Sequence, residues 1–114
     1  WISPDLSSQI LDGQNIGSGE IRTQEVHSGY QIWLDSPLSG NVPNRYLITG
    51  INSSQHKLRV ILTCNDGSPD KKTGTGIIKQ THESHAYFDI IADGNQRIPA
   101  DKYRITVQGA FFTP

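Results

Sequence analysis

Alternation is the feature that most constrains this chain. Apolar and polar residues trade places step by step through short runs, and glycine, proline, asparagine and aspartate separate the runs. In Lys57–Cys64, Leu58, Val60 and Leu62 fall on one side, and Lys57, Arg59 and Thr63 on the other. A period of two sends successive side chains to opposite faces of an extended backbone, so each run reads as a strand with one apolar face. Strands are expected near 19–26, 29–35, 44–50, 57–64, 76–80 and 85–93. The final stretch, 101–114, places Tyr103, Ile105, Val107, Gly109 and Phe111 on one face and Arg104, Thr106, Gln108, Ala110 and Phe112 on the other. No segment holds an apolar period of 3.6 over a helical length, so no substantial helix is expected.

Turn signals fall between the runs: Asp12-Gly13, the breakers Pro37, Gly40 and Pro43, Asn52-Ser53-Ser54, the polar loop 65–76, and Asp93-Gly94-Asn95. Short strands punctuated this way predict an all-β fold, a β-sandwich. The 114 residues form one domain, 1–114, with about 1–9 expected as a flexible N-terminal segment because Ile2, Leu6 and Ile10 are too sparse for a strand. The core is expected to be lean. Hydrophobic residues make up 34% of the chain, and 11 glycines are needed to approach the usual apolar share. A last strand with a good apolar face and no segment after it leaves open what covers its flank.

Charge excludes one class of function. Ten Lys and Arg against eleven Asp and Glu give a net charge of -1, whereas phosphate-held nucleic-acid binders are usually basic. No run of about 18 apolar residues is present to span a membrane as a helix. Trp1 is not an initiator, and no charged region precedes an apolar stretch, so a mature or trimmed chain is expected. Cys64 is the one cysteine and forbids an internal disulfide. At the end of a strand, with no His or Lys beside it in sequence, it reads as a small half-buried hydrophobe.

Residues able to carry chemistry do not assemble into a motif. His82-Glu83-Ser84-His85 could hold a metal on a turn, but i and i+3 face opposite ways in a strand and no further ligand is placed to complete a set. Gly17-Ser18-Gly19 and Gly74-Thr75-Gly76 lack the lysine and helix of a phosphate loop. Asp66 and Asp70 lie in a loop without the EF-hand pattern. There is no G-x-S-x-G, so a hydrolase using His27 or His56 rests only on those residues being present. No catalytic residue, metal or cofactor is expected. The tryptophans and tyrosines read as core or cross-strand partners before they read as a sugar platform. Asp101-Lys102-Tyr103 has the form of a tyrosine corner, in which the hydroxyl bonds backbone just upstream, a device of immunoglobulin-like sandwiches.

Several segments in consistent order resemble one family. They are Gly19-Glu20-Ile21, His27-Ser28-Gly29-Tyr30-Gln31-Ile32-Trp33, Arg45-Tyr46, His56-Lys57-Leu58-Arg59-Val60, Asp66-Gly67-Ser68-Pro69 and Gly74-Thr75-Gly76. The strongest run is Tyr87-Phe88-Asp89-Ile90-Ile91-Ala92-Asp93-Gly94-Asn95-Gln96, continuing through Ile98 into the stretch from Tyr103 to Ala110. From about Gln9 to the C-terminus the chain is similar to the minor, tip-located subunits of chaperone–usher fimbriae, the Afa/Dr-type invasins. One departure is clear. That branch carries cysteines in its first and last strands, where this chain has Thr23 and Phe111.

The resemblance implies an incomplete immunoglobulin-like sandwich whose missing strand comes from another chain: first a periplasmic chaperone, then the neighbouring fimbrial subunit at the outer-membrane usher. It implies a non-enzymatic subunit on the fimbrium at the bacterial cell surface, acting in host-cell adhesion or invasion through an unidentified host receptor. The groove residues it points to are Ile21, Thr23, Tyr103, Ile105, Val107 and Phe111. Residues 1–10, interrupted by Pro4, Asp5 and three serines, make a poor donor strand, which favours a terminal subunit over a repeating shaft pilin. The alternative from another class is a self-contained secreted sandwich that binds carbohydrate. Loops 36–43 and 65–76 are the candidate receptor surfaces, because loops carry recognition on a sandwich.

Overall fold

The computed structural model describes residues 9–99 and 101–113. The expectations for residues 1–8, including a flexible or strand-donating N-terminal segment, lie outside the described residues. Ten strands form: β1 Gln9–Ile10, β2 Asn15–Arg22, β3 Gly29–Leu34, β4 Arg45–Thr49, β5 Lys57–Cys64, β6 Ser68–Pro69, β7 Ile77–Gln80, β8 His85–Ala92, β9 Gln96–Arg97 and β10 Val107–Phe112. No helix occurs among the described residues. Two four-stranded antiparallel sheets, ordered β2-β8-β5-β4 and β10-β3-β7-β6, enclose the core, and β1 pairs with β9 as a two-stranded ribbon.

Alternation places the core. Leu58, Val60 and Leu62 of β5 are fully buried, and so are Ile90 and Ala92 of β8. The register sets Val60 opposite Ala92 and Leu62 opposite Ile90, so each apolar residue packs on another across the ladder. Burying each Val, Leu or Ile contributes about 1.5–3 kcal/mol. From the second sheet, Ile32, Leu34 and Ile77 meet them, and Ile10, Ile98, Tyr103 and Ile105 belong to the same buried cluster.

Three local expectations differ from the structure. The first long strand runs Asn15–Arg22, four residues earlier than the pattern suggests. Its irregular start, a register shift between Asn15 and Gly17 that keeps Ile16 buried, breaks the period-two signal. At the other end Thr23 makes one last bond, N–H to Ser84 O at 2.9 Å, before the chain turns away and leaves Val26 exposed. Ile10 belongs to a strand after all, fully buried in β1, because pairing with β9 supplies the support its neighbours in sequence do not. The polar loop after β5 contains β6, held by two residue pairs to β7.

The last stretch is not one uniform strand. Tyr103 bridges Gly50 beside the first sheet, whereas Val107–Phe112 pairs along its whole length with β3 in the second. The crossing is pinned by the tyrosine corner: the Tyr103 hydroxyl donates to Pro99 O at 2.7 Å. Asp101 anchors the approach by accepting from Asn52 N–H at 3.1 Å and pairing with His56 Nδ1 at 2.9 Å. Burial would raise the Asp101 carboxyl, but these hydrogen bonds and that of Lys102 N–H hold it below its ordinary value.

A strand-sized cleft between two sheet edges

A sandwich of two open sheets has four edge strands, and exposed edges invite pairing with other chains. Two are blunted here. β4 is covered by the preceding loop, where Leu38 bridges Tyr46 and Leu47 N–H donates to Pro37 O at 2.9 Å. β6 is two residues long and contains a proline. The remaining edges, β2 and β10, belong to opposite sheets and flank a cleft of about 370 Å³.

The cleft has an apolar floor and a polar rim. Ile21, Ile32, Phe88, Val107 and Gly109 form the floor, and Glu20, Arg22 and Gln108 stand on the rim. Glu20 and Arg22 pair at 3.0 Å on the outer side of β2. Cover over the inner face of the last stretch declines steadily. Tyr103 and Ile105 are fully buried, Val107 is half-buried, Gly109 is exposed, and Phe111 is 37% exposed. The run of alternate residues that completes the core at Tyr103 and Ile105 is therefore unfinished along β10.

The six residues named from the sequence fall in different places. Ile21 and Val107 line the cleft. Tyr103 and Ile105 lie further back on the same face, inside the core. Thr23 sits past the end of β2 in a shallow depression with Glu25, Val26, His27 and His82. Phe111 lies beyond the cleft with its ring edge-on to His27 at 6.4 Å. Ile32, Phe88 and Gly109 were not anticipated. A glycine inside a strand pattern is the signal that could have found Gly109, since it marks a close approach.

His27 and His82 serve the loops that frame the cleft's outer end. His27 is buried, with Nδ1 2.7 Å from Glu25 O and Nε2 2.6 Å from Glu83 O. The Tyr30 hydroxyl also donates to Glu83 O, at 2.8 Å, and His82 Nδ1 lies 2.7 Å from His27 O. His82 thus turns to backbone while His85 already stands in β8. Among the described residues no three His, Cys, Asp or Glu side chains gather to hold a metal ion.

A second concavity, about 770 Å³, lies on the outer face of the β10-β3-β7-β6 sheet over Ile78 and Phe112. Asp70 closes its wall. Burial would raise this carboxyl, but Thr73 Oγ1 at 2.6 Å, the N–H groups of Thr73 and Lys72 at 3.1 Å, and Gln31 Nε2 at 2.9 Å hold it below the ordinary value. Those four donors use the acceptor capacity of both oxygens, so Asp70 orders the 70–74 turn. Cys64 is half-buried, and burial pushes its thiol up, away from the reactive thiolate.

Comparison with known proteins accords with this geometry. Residues 6–109 match the family described as Enterobacteria AfaD invasin protein. Protein AfaD of Escherichia coli is 32% identical over 108 residues, covering 94% of this chain and 73% of the relative. The Salmonella SafD adhesin superposes with a TM-score of 0.90 at 28% identity, over 96% of this chain and 78% of that one. The minor tip subunit HdaB of the E. coli Hda pilus gives 0.88 at 27% identity, over 96% and 77%. An all-β immunoglobulin-like sandwich with two facing edges, matched along nearly its whole length, places the chain in the AfaD invasin family of minor fimbrial subunits, which serve adhesion or invasion on fimbriae at the bacterial cell surface.

Proposed function

We propose that the cleft between β2 and β10 receives a β-strand from another chain, and that this is how the subunit enters its fimbria. The observation that carries the reading is the declining cover along the inner face from Tyr103 to Phe111. A strand laid between the two edges would find backbone partners there, and its alternate side chains would cover Ile21, Val107 and the floor residues Ile32 and Phe88. Tyr103 and Ile105 form the packed base from which the groove extends. Thr23 and Phe111 stand at its far end. The donor is first a periplasmic chaperone, then the neighbouring fimbrial subunit delivered at the outer-membrane usher. The chain does no catalysis. It presents loops 36–43 and 65–76 to a host-cell receptor.

The test uses a peptide copying the N-terminal extension of the neighbouring subunit in the same fimbria. Wild-type protein is expected to bind it, and Val107→Asp to lose binding, because docking would leave a carboxylate unpaired against apolar surface, at a cost of at least several kcal/mol. Circular dichroism and a second substitution away from the cleft, Lys57→Asp on the exposed face of β5, separate loss of the groove from loss of the fold. Wild-type affinity in Val107→Asp would remove the assignment. A self-contained carbohydrate-binding sandwich would instead unfold cooperatively as a monomer, with its stability unmoved by the peptide.

A further inference from the structure

One side chain crosses the cleft. Ile21 reaches from β2 to Gly109 on β10, and a Cβ placed on residue 109 would overlap Ile21 Cδ1 and stand 3.4 Å from Cγ1. The glycine is not required by the backbone. Positive φ angles occur at Gly13, Gly40, Gly74, Gly76 and Gly94, and Gly109 is not among them. Any residue could adopt its conformation, and glycine within a strand weakens it. What the missing side chain provides at 109 is space, and Ile21 Cδ1 occupies that space.

Three features make this contact movable. Ile21 is half-buried and packs on the edge of the core, not within it. It is one residue from the end of β2, where the chain turns away after Arg22. The overlapping atom is the terminal methyl, which rotation about χ2 carries off Gly109 without moving the backbone, while the branched Cβ stays stiff at χ1.

Resting on the strand-accepting reading of the cleft, we infer that Ile21 is its gate. The Cδ1 methyl closes on Gly109, and an entering strand must turn it aside to seat a side chain there. The geometry also sets what that side chain is. Gly109 offers an apolar, side-chain-free spot flanked by Val107 and Ile21, so the donor residue facing it is aliphatic. A polar residue there would be desolvated without a partner.

Association and dissociation rates of the labelled extension peptide test this directly. Ile21→Val removes the gating methyl and keeps the branched Cβ; Ile21→Ala removes the wall as well. The gate predicts a several-fold faster association in both variants. Dissociation stays near wild type in Ile21→Val and rises in Ile21→Ala. A side chain that serves only as wall would leave association unchanged and raise dissociation alone, and that result overturns the gate. Replacing the donor's aliphatic residue at the facing position by glycine, which has no side chain to seat, is expected to abolish the difference between wild type and Ile21→Val. Wild-type protein that takes up no peptide would overturn the strand-accepting reading and the gate together, whereas normal uptake with unchanged association in both variants overturns the gate alone.

Discussion

Single side chains hold the crossing between sheets, and their loss is measurable. The Tyr103 hydroxyl is the donor to Pro99 O, a part-buried bond, so Tyr103→Phe removes it and leaves the carbonyl of the exposed Pro99 to water. The expected cost is about 0.5–1.5 kcal/mol, read as a lower urea midpoint with an unchanged slope. Asp70 and Asp101 both have carboxyls held below their ordinary values. In the unfolded chain each takes up its proton at a higher pH than in the native state. Their contribution is therefore complete above the ordinary aspartate value, about 3.9, and is lost as pH falls through it towards the lower native value. Urea midpoints measured across this acid range should fall steeply for wild type and less steeply for Asp70→Asn, with little pH dependence from either group near neutrality. Tyr103 was legible as a corner because its spacing from the turn before it carries the geometry. The roles of His27 and Asp70 were not, since their partners Glu83 and Gln31 lie 56 and 39 residues away.

Elements differ in how much of their stability they carry locally. β5 is central in its sheet, flanked by β8 and β4, and its alternation fixes which face is buried. β1 and β6 have two residues each, too few for a period, and exist because β9 and β7 are there to pair with them. The loops after β2 and before β8 depend on His27, which touches a carbonyl in each. His27→Ala is expected to lower the local opening free energy by about 1–2 kcal/mol. The amides of Thr81 and Ser28, bonded to Ser28 O and Phe112 O, should then exchange faster while those of β5 keep their protection. Such a pattern would show that these loops open as a unit around the outer end of β10. Uniformly faster exchange would instead mean that His27 supports the whole fold.

The molecule as a whole is a sandwich whose protection is uneven. Its β4 and β6 edges are covered or cut short, and its β2 and β10 edges face one another across an apolar floor. An uncovered pair of edges predicts self-association of the purified chain, visible as species above 12.6 kDa in size-exclusion chromatography and suppressed by the donor peptide. At about 100 times its dissociation constant the peptide should add about 2.7 kcal/mol of stability and raise the thermal midpoint. An equal midpoint with and without peptide would count against a binding groove.

By itself the sequence determined the strands that are long enough to alternate, the absence of helix among the described residues, the apolar faces of β3, β5 and β8, and the tyrosine corner. These are local properties, set by the direction in which successive side chains leave an extended backbone. Alternation cannot say which sheet a strand joins, because the period is the same in either. Only the tertiary structure decided that the last stretch passes from Gly50 to β3, that β2 and β10 end on the same side, and that Ile21 closes on Gly109. Those outcomes depend on contacts between residues tens of positions apart, and a pattern read along the chain carries no record of them.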